Sequence, residues 1–159
     1  MTQRTKAGEN ERRFAKIMRE KAPDIHLRGK RRFSSGEVEI SVDQSLEHDG
    51  ICYLIEIDSQ NIAKLLVGQY VLLNELCKQD KSKVFFLIVH AYEKYNPQRT
   101  LSNLQFINEK LYFDKGIQFG AMHISSLDQW QGGFSAFKAL ITTPNKALKR
   151  DAAKSRRAP

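Results

Sequence analysis

The spacing of apolar residues predicts alternating helices and strands from the start of the chain. Residues 8–21 carry an apolar stripe at helical spacing, and Pro23 follows its end, which is typical of a helix terminus. A polar loop containing Gly and Ser is expected over 24–36. In the segment 37–43 that follows, apolar and polar residues alternate strictly. A period of two is typical of a β-strand with one buried face.

The rest of the chain continues this alternation around one strongly apolar strand. The Asp49–Gly50 pair predicts a two-residue hairpin turn, because such turns need positive φ at both central positions, and a strand is expected over 51–57. A broad apolar face predicts a helix over 61–78, and the segment 84–90 is apolar enough to be a strand buried on both faces. The last expected elements are a helix over 98–110, a strand over 118–125 and a short helix over 134–141. This order of elements predicts an α/β fold.

The composition fits one ordinary globular domain followed by a basic tail. Of the 159 residues, 41% are hydrophobic and 28% are charged, and the formal net charge is +8. Residues 145–159 contain six basic residues and one acidic residue, a net charge of +5, which leaves +3 for the rest. We therefore expect a single domain over residues 1–144 and a mobile basic tail over 145–159.

The sequence also favours a protein of the cytoplasm. No stretch approaches the roughly 20 apolar residues needed to span a bilayer, and the polar N-terminus does not resemble a signal peptide, so no membrane partner is expected. Cys52 and Cys77 lie inside apolar runs without metal-ligand spacing. They are expected to be small buried hydrophobic residues in a reducing compartment, rather than a disulfide or a zinc pair.

The hairpin turn predicts where several carboxylates meet. A turn centred on residues 49–50 places Asp43 directly opposite Glu56, and Ser41 opposite Asp58. Residues opposite each other in an antiparallel pair point to the same face, with Cβ atoms about 5 Å apart. Asp43, Glu56 and Asp58 are therefore predicted to form one acidic cluster.

Carboxylates in this strand require an explanation, because the residues around Glu56 and Asp58 are apolar. A carboxylate in such surroundings needs a proton, a partner or a cation. Three carboxylates offer the hard oxygen ligands that Mg²⁺ or Mn²⁺ prefers. The alternative is an edge strand whose acidic face is in water.

Asp43, followed after twelve residues by Glu56-Ile57-Asp58 at the end of an apolar strand, resembles the motif of the PD-(D/E)xK nuclease superfamily. The resemblance extends over residues 8–92. It implies a restriction-endonuclease-like core, with a helix, a β-hairpin sheet, a second helix and a further strand in a mixed central sheet flanked by helices. It also implies a Mg²⁺- or Mn²⁺-dependent nuclease. The tail sequence NKALKR resembles the ends of proteins encoded on bacterial mobile gene cassettes.

The resemblance assigns roles to individual residues. Asp43 and Glu56, with the carbonyl of Ile57, would hold the metal, and Asp58 stands where the family has lysine. Asp58 is then either a further metal ligand or base, or the mark of a degenerate copy without catalysis. Gln69 matches a glutamine that many members place on the second helix. Glu11 matches a glutamate with which several members extend the metal site from the first helix. For Gln69 the alternative is a buried residue that caps backbone groups, and for Glu11 it is an ordinary surface residue.

Nucleic acid, DNA above all, is the expected partner. The basic residues before the first predicted strand would bind phosphates, although a solvated basic surface is the alternative. These residues are Arg28, Lys30, Arg31 and Arg32. A homodimer would allow both strands of a duplex to be cut. The competing functions are an inactive nucleic-acid-binding or protein-interaction module with the nuclease fold, and an interaction protein with an exposed acidic patch.

Overall fold

The computed structural model describes residues 7–60 and 62–144, so the basic tail 145–159 lies outside the described residues. Within these ranges the chain forms four α-helices and six β-strands. The helices are α1 (Glu9–Lys21), α2 (Ala63–Leu76), α3 (Pro97–Tyr112) and α4 (Phe134–Leu140). The strands are β1 (Arg31–Ser35), β2 (Val38–Val42), β3 (Gln44–His48), β4 (Ile51–Asp58), β5 (Val84–His90) and β6 (Gln118–His123).

A mixed four-stranded sheet forms the centre of the fold, with the strand order β3-β4-β5-β6. β3 and β4 are antiparallel, whereas β4, β5 and β6 run parallel to one another. One face carries an apolar cluster that includes Phe14 of α1 and Phe137 of α4, and the other carries a cluster that includes Tyr70 of α2 and Leu104 of α3. The predicted α/β class, a mixed sheet flanked by helices, is confirmed.

The apolar runs form the interior strands, as predicted. β4 lies between β3 and β5, and its Leu54 and Ile55 are fully buried. In β5, successive residues Phe86 and Leu87 are both fully buried, because helices cover both faces of a parallel region. The turn before β4 has positive φ at Asp49 (50°) and Gly50 (75°), which confirms the predicted hairpin turn.

The segment before this turn differs from the prediction. The expected loop over 24–36 contains β1, and the expected strand over 37–43 is not part of the main sheet. Instead, β2 pairs with β1 in a separate two-stranded sheet that packs against α2. The chain then bends at Asp43 and enters the main sheet as β3. Alternation predicted that residues near 37–43 form a strand, but it carries no information about which strand is the partner.

One predicted cross-strand pair is therefore wrong. Ser41 pairs with Arg32 of β1, not with Asp58. The register between β3 and β4 agrees with the predicted turn geometry as far as the pair of Gln44 and Ile55, where the ladder ends. Asp43 lies one step beyond that pair.

Cys52 and Cys77 are buried free thiols. Among the described residues, no helix is long and apolar enough to cross a membrane.

Candidate metal centre

An open pocket at the carboxyl end of β4 brings together all five side chains that the sequence suggested for a catalytic site. They are Glu11, Asp43, Glu56, Asp58 and Gln69, and we call the space they line the acidic pocket. Glu11 comes from α1, Asp43 from the bend between β2 and β3, and Gln69 from α2. The pocket thus lies where the two sheets and two helices meet. Its position beyond the carboxyl end of a parallel strand is a common location for ligand sites in α/β proteins.

The bend at Asp43 joins the two sheets and closes one side of the pocket. Asp43 Oδ2 accepts a hydrogen bond of 2.9 Å from the backbone N–H of Ile57. A side chain thereby takes the place of a strand partner at the point where the ladder between β3 and β4 has ended. The backbone N–H of Asp43 in turn lies close enough to the carboxylate of Glu56 to lower its pKa. These two contacts bring Asp43 and Glu56 side by side, although their strand pairing is not continuous.

The surroundings of Glu56 strongly disfavour the ionised form of its carboxyl group. Within the described residues, its Oε2 atom is buried and has no hydrogen-bond partner. Burial, and secondly the negative charge of Asp43, raise the pKa of Glu56 from 4.5 to about 7, against the opposing hydrogen bonds from Gln69 and from the Asp43 N–H. A buried carboxylate oxygen without a donor is costly to ionise unless a cation is close to it.

Asp43 is in a similar but milder environment. Burial raises the pKa of its carboxyl group, and the bond from Ile57 opposes that effect. The negative charge of Glu11 raises the pKa further, whereas the positive charge of Lys30 lowers it. Glu11 and Lys30 therefore both lie close enough to act on Asp43.

Gln69 is buried between the backbone at the end of β2 and the carboxylate of Glu56. It is only 8% exposed, and its Nε2 donates a 3.0 Å hydrogen bond to the backbone carbonyl of Ser41. Its amide also lies close enough to the carboxylate of Glu56 to lower the pKa of that group. The two N–H groups of one amide can serve both acceptors, so Gln69 links the end of β2 to the acidic residue of β4.

Asp58 differs from its two acidic neighbours because protein groups already satisfy it. Its Oδ2 lies 2.8 Å from Nδ1 of the buried His90, and its Oδ1 accepts a 3.2 Å hydrogen bond from the N–H of Gln60. Burial alone would raise its pKa, but the hydrogen bond and charge of His90, together with the backbone N–H groups of Gln60 and Ile62, lower it. Within the described part of the chain, no three His, Cys, Asp or Glu side chains form a group that could hold a metal ion. Among the described residues that line the pocket, the buried carboxylate oxygen without a hydrogen-bond partner is Oε2 of Glu56.

The four basic residues suggested for nucleic-acid contacts are not among the described residues that line the pocket, and three of them contact other residues of the chain. Arg28 makes a two-pronged ion pair with Glu47, at 2.8 and 3.2 Å. Arg32 lies 3.4 Å from Glu39. Arg31 donates to the sulfur of Cys52, at 3.0 Å, and lies over the ring of Phe33. The fourth residue, Lys30, is exposed and acts on Asp43.

The sequence analysis missed His90. It is the last residue of β5 and lies beside Asp58 in the parallel ladder between β4 and β5. A signal was present, since both apolar strands end in a polar residue. The parallel register that aligns these two ends depends on the length and packing of the connecting helix, which residue patterns do not give.

No protein-family model matches the chain, and no curated protein is significantly similar to it in sequence. Among solved structures it is similar to the crystal structure of a protein of unknown function, AF1548, with 14% identity and a TM-score of 0.42. The similarity covers 77% of this chain and 59% of that chain. The matched region is thus less than two thirds of the length of AF1548.

Proposed function

We propose that this chain is a divalent-metal-dependent nuclease that hydrolyses phosphodiester bonds, as a divergent relative of the PD-(D/E)xK nucleases. The observation that supports this most is the buried Oε2 of Glu56, which has no partner within the described residues and lies beside Asp43 in an open pocket. A fold that needed these residues only for stability would gain by replacing Glu56 with an apolar or amide side chain.

The chemistry of the donors fits Mg²⁺ or Mn²⁺. Carboxylate and carbonyl oxygens are the ligands that these hard cations prefer, and neither cysteine nor histidine lines the acidic pocket. Asp43, Glu56 and the carbonyl of Ile57 would hold the ion. When bound, the ion would lower the pKa of a coordinated water molecule and offset the charge of the scissile phosphate.

The remaining residues of the pocket act on these ligands or on the water. Gln69 fixes the orientation of the Glu56 carboxylate, and Glu11 adds a further negative charge on the side of α1. Asp58 takes the position of the family's lysine and orients the attacking water as a hydrogen-bond acceptor. Lys30 is the cation that acts on Asp43, and it is suited to hold the phosphate beside the one that is cleaved.

A cleavage assay with matched variants tests the proposal. Wild type, Asp43→Asn, Glu56→Gln and the control Glu20→Gln, an exposed residue of α1, would be incubated with plasmid, oligonucleotides and RNA in Mg²⁺ or Mn²⁺. We expect cleavage by wild type and by the control, and its loss in both pocket variants and in EDTA. If the two pocket variants cleaved like the wild type, Asp43 and Glu56 would not be the ligands.

The second candidate is a non-catalytic binding module with the same fold. It is favoured by Asp58, which stands where the family has lysine and is held by His90. A wild-type protein that neither binds Mn²⁺ nor cleaves any of these substrates, but shifts nucleic acid in a gel in EDTA, would establish this alternative instead.

A further inference from the structure

Behind the acidic pocket lies a buried chain of polar contacts that the proposed function does not use. His90 Nδ1 lies 2.8 Å from Asp58 Oδ2, and His90 Nε2 lies 3.2 Å from the hydroxyl of Thr100 on α3. His90 is 0% exposed and Thr100 is 1% exposed, and the ring of Tyr95 packs against the imidazole. The imidazole cannot reach the solvent or a substrate. It can act only through Asp58.

Within the described residues, the Asp58 carboxylate retains capacity for one further hydrogen bond. A carboxylate offers about four acceptor positions. Three of them are used in the described structure, by Nδ1 of His90 and by the backbone N–H groups of Gln60 and Ile62. These contacts come from β5 and from the loop between β4 and α2, so they fix the carboxylate from two sides. Asp58 also lines the acidic pocket, two residues beyond Glu56 on the same face of β4.

We propose that His90 is a positioning residue, which holds the Asp58 carboxylate by a hydrogen bond from Nδ1–H so that its remaining acceptor position orients the attacking water. This inference rests on the proposed function. Thr100 accepts or donates at Nε2 and fixes the plane of the ring. A histidine anchored on both nitrogens selects one orientation of its partner, as hydrogen-bonding residues behind metal ligands and catalytic groups do in other sites.

The arrangement also gives a reason for the acidic residue at the family's lysine position. Lysine would place a cation at the pocket, whereas Asp58 with His90 places an oriented acceptor there. An acceptor is suited to a water that must lose a proton. Removing His90 should therefore slow the chemical step without changing how the metal or the nucleic acid binds.

Three variants and one control separate positioning from a general structural role. His90→Leu removes the donor at similar volume, whereas His90→Asn keeps an N–H close to the place of Nδ1. The third variant, Asp58→Asn, is made alone and in combination with His90→Leu. The control is His123→Leu, since His123 lies next to His90 in the ladder between β5 and β6 and shares the contact with the Tyr95 ring, but its nitrogens contact Ser125 and the carbonyl of Tyr92 instead of Asp58.

The measurements are kcat and KM on a cleaved substrate, and the Kd for Mn²⁺ by calorimetry. We expect His90→Leu to lower kcat by about 10- to 100-fold, with KM and Kd within about twofold of wild type. His90→Asn should recover most of the loss, and His123→Leu should cleave like the wild type. In the Asp58→Asn background, adding His90→Leu should cause no further loss, because the two residues act as one unit.

A readout without metal or substrate covers the case in which His90→Leu fails to fold. The ¹⁵N shifts of the His90 ring in the metal-free wild type should show a protonated Nδ1. An unprotonated Nδ1, a folded His90→Leu with full kcat, or an equal defect in His90→Asn and His90→Leu would each overturn the inference. If the wild type and His90→Leu are both fully active, only this inference is overturned. If the wild type neither cleaves nor binds Mn²⁺, the proposed function is overturned, and this inference with it.

Discussion

Replacing Glu56 by glutamine should stabilise the metal-free protein at pH 8. The pKa of this carboxyl group is about 7 in the folded protein and 4.5 in its ordinary environment, so the folded state binds the proton more tightly than the unfolded state does. Below pH 4.5 the group is neutral in both states and costs nothing. As the pH rises from 4.5 to 7 the unfolded state ionises first, and the free energy of unfolding falls. Above pH 7 the full cost of the buried charge remains.

The size of the effect follows from the two pKa values. One pKa unit corresponds to about 1.4 kcal/mol. The difference between the ordinary pKa of 4.5 and the folded-state pKa of about 7 therefore lowers the free energy of unfolding of the wild type by about 3 kcal/mol at pH 8. Because Glu56→Gln removes this cost, the Tm of the variant should exceed that of the wild type by about 6 to 12 °C for a chain of this length. Glutamine keeps a carbonyl oxygen that can accept the hydrogen bonds from Gln69 and from the Asp43 N–H, so the substitution removes the charge and little else.

Urea unfolding in EDTA at half-unit steps between pH 4.5 and pH 8 measures this directly. Wild type should lose stability across the interval, and Glu56→Gln should lose much less and exceed wild type at pH 8. Glu20→Gln provides the matched control, because Glu20 is exposed on α1 and pairs loosely with Lys16 at 3.9 Å. A Glu56→Gln protein that is less stable than wild type at pH 8, or two parallel pH profiles, would refute the reasoning.

Three further results are expected. Mn²⁺ should bind more tightly at pH 8 than at pH 6 in calorimetry, because Glu56 must lose its proton to become a ligand, and equal affinities would argue against Glu56 as a ligand. Asp58→Lys should reduce cleavage by about 10- to 100-fold in an active site that uses the carboxylate, whereas new nicking activity in this variant would indicate a degenerate site. Charge reversal of Arg31 and Arg32 should weaken nucleic-acid binding for all sequences alike and flatten its salt dependence in fluorescence titrations, and unchanged binding would place the contact surface elsewhere.

The strands of the main sheet could be predicted from the sequence because they have strong local signals. The Asp49–Gly50 turn set the register up to Gln44 and Ile55, and the uniformly apolar β5 indicated a strand buried on both faces. The small sheet of β1 and β2 could not be predicted. β1 has the sequence RRFSS, without the β-branched residues that mark a strand, and its pairing with β2 depends on packing against α2.

The same contrast holds for the pocket. Asp43 and Glu56 were predicted as neighbours, and the structure brings them together through the bend at Asp43 and its hydrogen bond from the Ile57 N–H instead of a continuous ladder. The contact between Asp58 and His90 was missed, because it joins residues 32 positions apart through a parallel pairing. Long-range parallel register is set by the packing of whole elements, so a pattern within one segment cannot reveal it.

The central claim is that Asp43 and Glu56 hold a divalent cation, and a crystal soaked in Mn²⁺ tests it most directly. An anomalous difference map should show one peak in the acidic pocket, with an oxygen of each carboxylate about 2.0 to 2.3 Å from the ion. Asp58 should keep its contact with His90 and reach the ion through a water. An empty pocket at millimolar Mn²⁺, or a peak bound by other residues, would contradict the account.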